Sequence, residues 1–323
     1  MPIFDQGYQH WHGRLRSHRW AWLAIAGQGI RTQLRHRWTK MILSMAIAPA
    51  LSLAAFTIIW GLCEQKAALI QPLLTLFRDL PEVFRTNPSE FRVPVWTFLL
   101  FFFFQIQRFF SMLLVLVVGP ALISQDLRFN AVPLYYSRPL TRADYFLGKL
   151  GVIAGFLGAV TVLPLTLAYL LGVIFSADVT VIRDTFRLYM AGLVYSAIII
   201  VSSGTLVLAL SSLSRNSRYV GAMWVAVWII SNSLAEVFTH TLKADWSPVV
   251  SYTQNLRRLA EYLFDLPGAA DRLATLLHRP PMLGLNQLVH TYPWYWSALA
   301  LAGLCGASLW VLTTRVQSLD RLK

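Results

Sequence analysis

The chain has 323 residues, 56% hydrophobic and only 13% charged, with 28 Lys and Arg against 15 Asp and Glu for a net charge of +13. Soluble domains average about 25% charged residues, so this composition excludes an ordinary soluble protein. It points instead to a polytopic membrane protein, in which 12 Trp, 12 Tyr and 19 Phe would supply the aromatic belts of the two interfaces.

A membrane-spanning helix needs roughly 20 predominantly apolar residues. Six stretches satisfy this: about 40–62, 98–123, 146–175, 188–212, 220–239 and 294–314. The predicted fold is therefore all-α with six transmembrane helices. Orientation follows from the positive-inside tendency. With both termini in the cytoplasm, that side collects sixteen Lys and Arg against four acids, while the outer side holds eleven against ten. The basic excess is thus a topology signal and not a nucleic-acid footprint.

In chain order, residues 1–39 form a cytoplasmic segment without the apolar core of a cleavable signal peptide. Between 20 and 40, Trp22, Leu23, Ile25, Ala26, Ile30, Leu34 and Trp38 recur at roughly helical spacing among Arg31, Arg35 and Arg37. That pattern predicts an amphipathic helix in the membrane interface, with its basic side toward anionic lipid. His10 and His12 lack a third ligand nearby, so no metal is expected. The six-span body, 40–323, opens with a span kinked at Pro49. An outer loop follows, with helical spacing of Leu73, Leu74, Leu76, Phe77 and Leu80 over 72–85 that suits surface packing.

The second span begins with an aromatic run, Phe98 to Phe104, and then carries Gln105, Gln107 and Arg108. A charge inside a span costs about 2.5–3.5 kcal/mol on the insertion scale, less when it is paired or near an interface. Counting along the helices puts Arg108 roughly 22 Å and Glu236, in the fifth span, roughly 27 Å from the cytoplasmic boundary. Either the two pair across the bundle or each snorkels to the outer interface.

The loop 124–149 joins the second and third spans on the cytoplasmic side. Asp126, Arg128, Arg138, Arg142 and Asp144 would present charge, while Phe129, Val132, Leu134, Tyr135 and Tyr136 give an apolar face. Aromatic anchors within a charged rim suit a groove in a protein partner; a solvated loop that serves only topology is the plain alternative. The run Ser137-Arg138-Pro139-Leu140-Thr141-Arg142, followed by Gly148-Lys149, resembles the corresponding loop of type-2 (exporter-type) ABC transporter permeases. In that family S-x-P-[LV]-[ST]-R and then G-K lead into the third span. Here Asn130-Ala131-Val132 stands where Gly-Thr-Leu is usual. The resemblance implies a dimer of six-span subunits, homo- or heteromeric, driven by separate ATP-binding cassette ATPase subunits. It implies that the loop (Asp126, Arg128, Tyr135, Tyr136, Arg138, Pro139, Arg142, Lys149) and the N-terminal helix couple ATPase to spans, and that the second and fifth spans line the pathway or the dimer seam.

The third span carries Gly148, Gly151, Gly155 and Gly158 as one small-residue stripe that permits close helix approach. Ser and Thr in the fourth span and Ser231-Asn232-Ser233 in the fifth either line a path or bond between helices. The outer interval 241–293 is long for a loop and shows helical patterns at 256–264 and 269–277; in the permease family such helices cap the pathway exit. Trp294 and Trp296, with Tyr292 and Tyr295, form an aromatic belt before the last span. Cys63 and Cys305 would lie too far apart in depth to bridge.

No phosphate-binding loop, no H-E-x-x-H or G-x-S-x-G motif and no paired carboxylates occur, so no catalytic residue, metal or cofactor is expected. Periodic acidic residues for proton or sodium coupling are also absent from the spans. The sequence reading is a membrane permease that uses a separate ATPase to move, by family resemblance to export, its substrate. It would sit in the plasma membrane, the inner one in a Gram-negative bacterium. A polytopic membrane enzyme and a non-transporting anchor or assembly factor are the alternatives.

Overall fold

A computed structural model describes residues 20–66, 88–131, 141–176, 178–242, 246–277 and 292–320. Among them the protein is all-α and contains six helices or helix pairs long and apolar enough to cross a membrane. It is a polytopic membrane protein. The helices are α1 (Ala21–Gln33), α2 (Arg37–Glu64), α3 (Arg92–Val118), α4 (Ala121–Arg128), α5 (Arg142–Val160), α6 (Val162–Ile174), α7 (Thr180–Leu213), α8 (Ser217–Val225), α9 (Ser231–Leu242), α10 (Tyr252–Leu263), α11 (Leu266–Leu276) and α12 (Trp294–Asp320). The spans are α2, α3 with α4, α5 with α6, α7, α8 with α9, and α12.

The fourth span is the hub. In its apolar window 61% of residues are buried, against 17% in the fifth span, so α7 forms the centre of the bundle and α8–α9 its rim. Helix α7 packs against α3, α4, α5, α6, α10 and α12. Most of its hydroxyls turn back on their own helix: Ser196 donates to Gly192 O (2.8 Å), Ser202 to Ile198 O (2.7 Å) and Thr205 to Val201 O (2.7 Å). These hydroxyls thereby satisfy themselves on their own helix within the buried core.

Prolines break the second and third spans where the sequence places them, and polar side chains from neighbours take up the freed groups. Pro164 has no N–H to give Val160 O, four residues back. Gln107 of α3 supplies that donor instead (2.5 Å), and its amide also lies 3.4 Å from Ala46 O beside the Pro49 kink. At Gly119-Pro120 the second span divides into α3 and α4. Ser211 of α7 fills this break, donating to Pro120 O (2.9 Å) and accepting from the N–H groups of Ile123 and Ser124. Gly119 is required there, since a Cβ would lie 2.5 Å from Val207 Cγ2.

The glycine stripe of α5 packs against the N-terminal helix. A Cβ at Gly148 would meet Ile25 at 2.7 Å, one at Gly151 would meet Ala26 at 2.9 Å, and one at Gly155 would meet Ile30 at 2.6 Å, whereas Gly158 has open space. Helix α1 is thus the amphipathic helix of the sequence reading. It ends at Gln33, and residues from Arg37 onward already belong to the first span. Trp20 and Leu23 are exposed on its outer side.

Two spans begin earlier than their apolar runs. Helix α3 starts at Arg92, behind a short 3₁₀ turn at Pro88–Phe91, and α7 starts at Thr180. Charges extend these helices because they are paired. Arg92 sends Nε and Nη2 to the two oxygens of Glu64 (2.8 and 3.0 Å), and Nη1 to Asp184 (2.8 Å) and Thr180 (3.1 Å). Trp60 Nε1 (2.7 Å) and Ser176 Oγ (2.9 Å) donate to Glu64 as well. This cluster ties together the outer ends of the first, second and fourth spans.

Candidate functional site

The base of the 124–149 loop is built from the end of α4 and the start of α5. Helix α4 closes in a two-bond C-terminal motif, with Ala131 N–H donating to Asp126 O (2.8 Å) and Asn130 N–H to Leu127 O. That motif needs a residue in the left-handed region, and Asn130 sits at φ 52°, a conformation asparagine tolerates better than most residues. Helix α5 begins with a capping box: Asp144 N–H donates to Thr141 Oγ1 (3.1 Å) while Thr141 N–H donates to Asp144 Oδ2 (3.1 Å).

Between these ends lies a bracket. Asp126 Oδ2 accepts from Lys149 Nζ (2.7 Å) and from the Tyr145 hydroxyl (2.7 Å), and the ammonium lies 5.3 Å from the Tyr145 ring centre. Tyr145 and Lys149 are both buried. Asp126 and Lys149, predicted to face a partner, therefore turn inward and fix one end of the loop to the other. The reason is spacing: Tyr145 and Lys149 are four residues apart on one helical face, and that face meets α4. Arg128 and Arg142 do remain exposed, with the Arg128 guanidinium 5.7 Å from the exposed Phe129 ring. Tyr135, Tyr136, Arg138 and Pro139 lie outside the described residues, as does the 72–85 segment.

Of the two alternatives for Arg108 and Glu236, the structure does not form the pair. Arg108 Nη1 donates to Thr253 O (3.2 Å), and Glu236, exposed on the outer face of α9, accepts from Asn232 Nδ2 (3.1 Å). Depth along the helices agrees, but the two side chains leave their helices in different directions. A π-helical turn at Ala226–Ile230 separates α8 from α9 and helps set that direction.

Arg108 instead borders a polar cleft of about 210 Å³ between the second span, the fifth span and the start of α10. Its polar walls are Gln105, Arg108, Asn232, Thr253, Gln254 and Arg257, with Phe109, Met112 and Trp228 alongside. Asn232 positions the α10 end of this cleft: its Oδ1 accepts from Ser251, Thr253 and Gln254 at 3.2 to 3.3 Å. Sequence reading had singled out Arg108, Gln105 and the Ser231-Asn232-Ser233 group but not Gln254 or Arg257, which sit in an interval that looks like an outer loop.

The described part of that interval, α10 and α11, inserts into the bundle. Tyr252, at the start of α10, reaches Ser202 (2.9 Å) and packs edge-on against Trp224, placing it about 17 Å from the inner end of α7 at 1.5 Å per residue. From there α10 returns outward to stack Tyr262 on Trp294 (4.2 Å between centres). Phe264, fully buried, wedges against Phe104 and Tyr195. Glu261 is also fully buried and takes Arg257 (3.2 Å) and Arg258 (3.3 Å), while Arg258 Nε donates to Tyr292 O (2.8 Å). Burial pushes the Tyr292 phenol above its usual range, so near neutral pH it stays protonated, 3.1 Å from Ser297 Oγ.

No protein-family model matches the chain, and no curated protein matches it.

Proposed function

We propose that this protein is the transmembrane permease subunit of an ABC transporter, which couples ATP hydrolysis on a separate ATPase chain to movement of a substrate, by resemblance export. The observation that carries this reading is the bracket at the base of the 124–149 loop. Asp126, Tyr145 and Lys149 join the two ends from which the loop springs and fix them to the second and third spans, as the base of a coupling element requires. The S-R-P-L-T-R run lies between these anchors, and Asn130 does the backbone work of the glycine usual in the family. The buried contact of α1 with the stripe on α5 would carry a push on the N-terminal helix to the third span. A second permease subunit would cover the apolar faces of the rim spans, and the plasma membrane would be the location.

The test is affinity purification of the full chain in mild detergent. Recovery of an ATPase bearing a phosphate-binding loop is expected, and Arg138→Glu with Arg142→Glu should reduce its yield several-fold. Purification without any ATPase, together with indifference to these changes, would refute the reading.

A further inference from the structure

The cleft beside Arg108 has a definite electrostatic sign. Two guanidiniums, Arg108 and Arg257, reach it, and no carboxylate among the described residues lines it. Arg257 is committed to Glu261, behind the cleft. Arg108 forms no ion pair among the described residues: it donates to Thr253 O and stands within reach of the buried Tyr195 hydroxyl, and its five donors exceed these two neutral partners. Gln105 Nε2, also buried, has no hydrogen-bond partner. The residues Thr253 and Gln254 stand in the first turn of α10, where the helix dipole is positive. The wall opposite Arg108 holds Trp228, within the π-helical turn, a distortion that in other helices accompanies functional sites. A charge with no counter-charge at this depth is costly, and the arrangement is explained if the missing partner is a ligand.

We infer that this cleft binds the anionic head, a phosphate or carboxylate, of an amphiphile whose apolar part lies against Phe109 and Trp228. Arg108 anchors the anion and Gln105 donates to it. This deepens the transport reading by giving a cargo class, and it rests on that reading only for the step from binding to transport.

Binding is measured on the full chain alone, purified in maltoside detergent, by native mass spectrometry titration. The probes are dodecyl phosphate, its zwitterionic counterpart dodecylphosphocholine, and inorganic phosphate. Saturable binding of dodecyl phosphate is expected, with little of dodecylphosphocholine. Arg108→Gln should weaken it about 10- to 100-fold, the range for hydrogen bonds to charged groups; Gln105→Leu should weaken it less, and Arg108→Lys should retain part. If Arg108→Gln fails to fold, the Lys and Leu variants carry the test. Unchanged binding in the folded variants overturns the site. Equal affinity for inorganic phosphate overturns the amphiphile and leaves a free-anion site. Because no ATPase is present, this result and recovery of the ATPase can fail independently.

Discussion

Replacing Arg92 with Met removes the cation that the outer ends of three spans share. The carboxylate it leaves behind, Glu64, is 2% exposed, as is Arg92 itself. Glu64 would lose both bonds of the guanidinium fork and keep those from Trp60 and Ser176. Breaking a buried ion pair from one side costs about 3–5 kcal/mol, because the remaining charge stays buried without compensation. The other partner behaves differently. Asp184 is 39% exposed, so solvent screens it and Asp184→Asn should cost less than about 1 kcal/mol. Replacing both Arg92 and Glu64 with apolar residues of similar size should recover most of the loss. Thermal unfolding of the detergent-purified chain measures all three, with a midpoint drop on the order of 10 °C for Arg92→Met. An Arg92→Met protein that melts with the unsubstituted one, or an Asp184→Asn protein that loses as much, would show that the cluster is ornamental.

Two further outcomes follow from packing. Gly148→Val should destabilise the chain by about 1–3 kcal/mol through overpacking, since its Cβ would fall 2.7 Å from Ile25; Gly158→Ala, in open space, should be neutral or stabilise by up to about 1 kcal/mol. Equal melting of the two variants would contradict the docking of α1. Phe264→Ala should cost about 3–5 kcal/mol, because the ring is fully buried between Phe104 and Tyr195, and a loss below about 1 kcal/mol would contradict the inserted position of the α10–α11 pair.

The spans were legible because run length alone nearly determines them in a bilayer. The early start of α3 was not, because Arg92 interrupts the apolar window and only its partners, Glu64 and Asp184, make it admissible there. Proline positions announced the kinks, yet nothing in the pattern showed that Gln107 would serve Val160 from another span. Whether Arg108 and Glu236 pair stays open in the sequence for a related reason: counting residues gives depth but not bearing, and a single π-turn offsets the bearing that a regular α-helix would give. The loop bracket was half visible. The charges were recognised, but Asp126 and Lys149 were assigned to a partner because their mutual contact depends on how two helices converge. The polar cleft was hidden further, since half of its polar wall comes from a segment whose sequence looks like an external loop.

The wide turn at Ala226–Ile230 makes the fifth span sensitive to length as well as to content. Removing one residue there would let the helix run on as a regular α-helix, with no bond lost along its axis. Removing one residue from the regular turns of α8 would instead swing everything beyond by about 100°, carrying Asn232 away from Ser251, Thr253 and Gln254 and releasing the inserted helix from its Asn232 tether. A deletion that composition would score as silent would thus unlatch the outer half of the bundle.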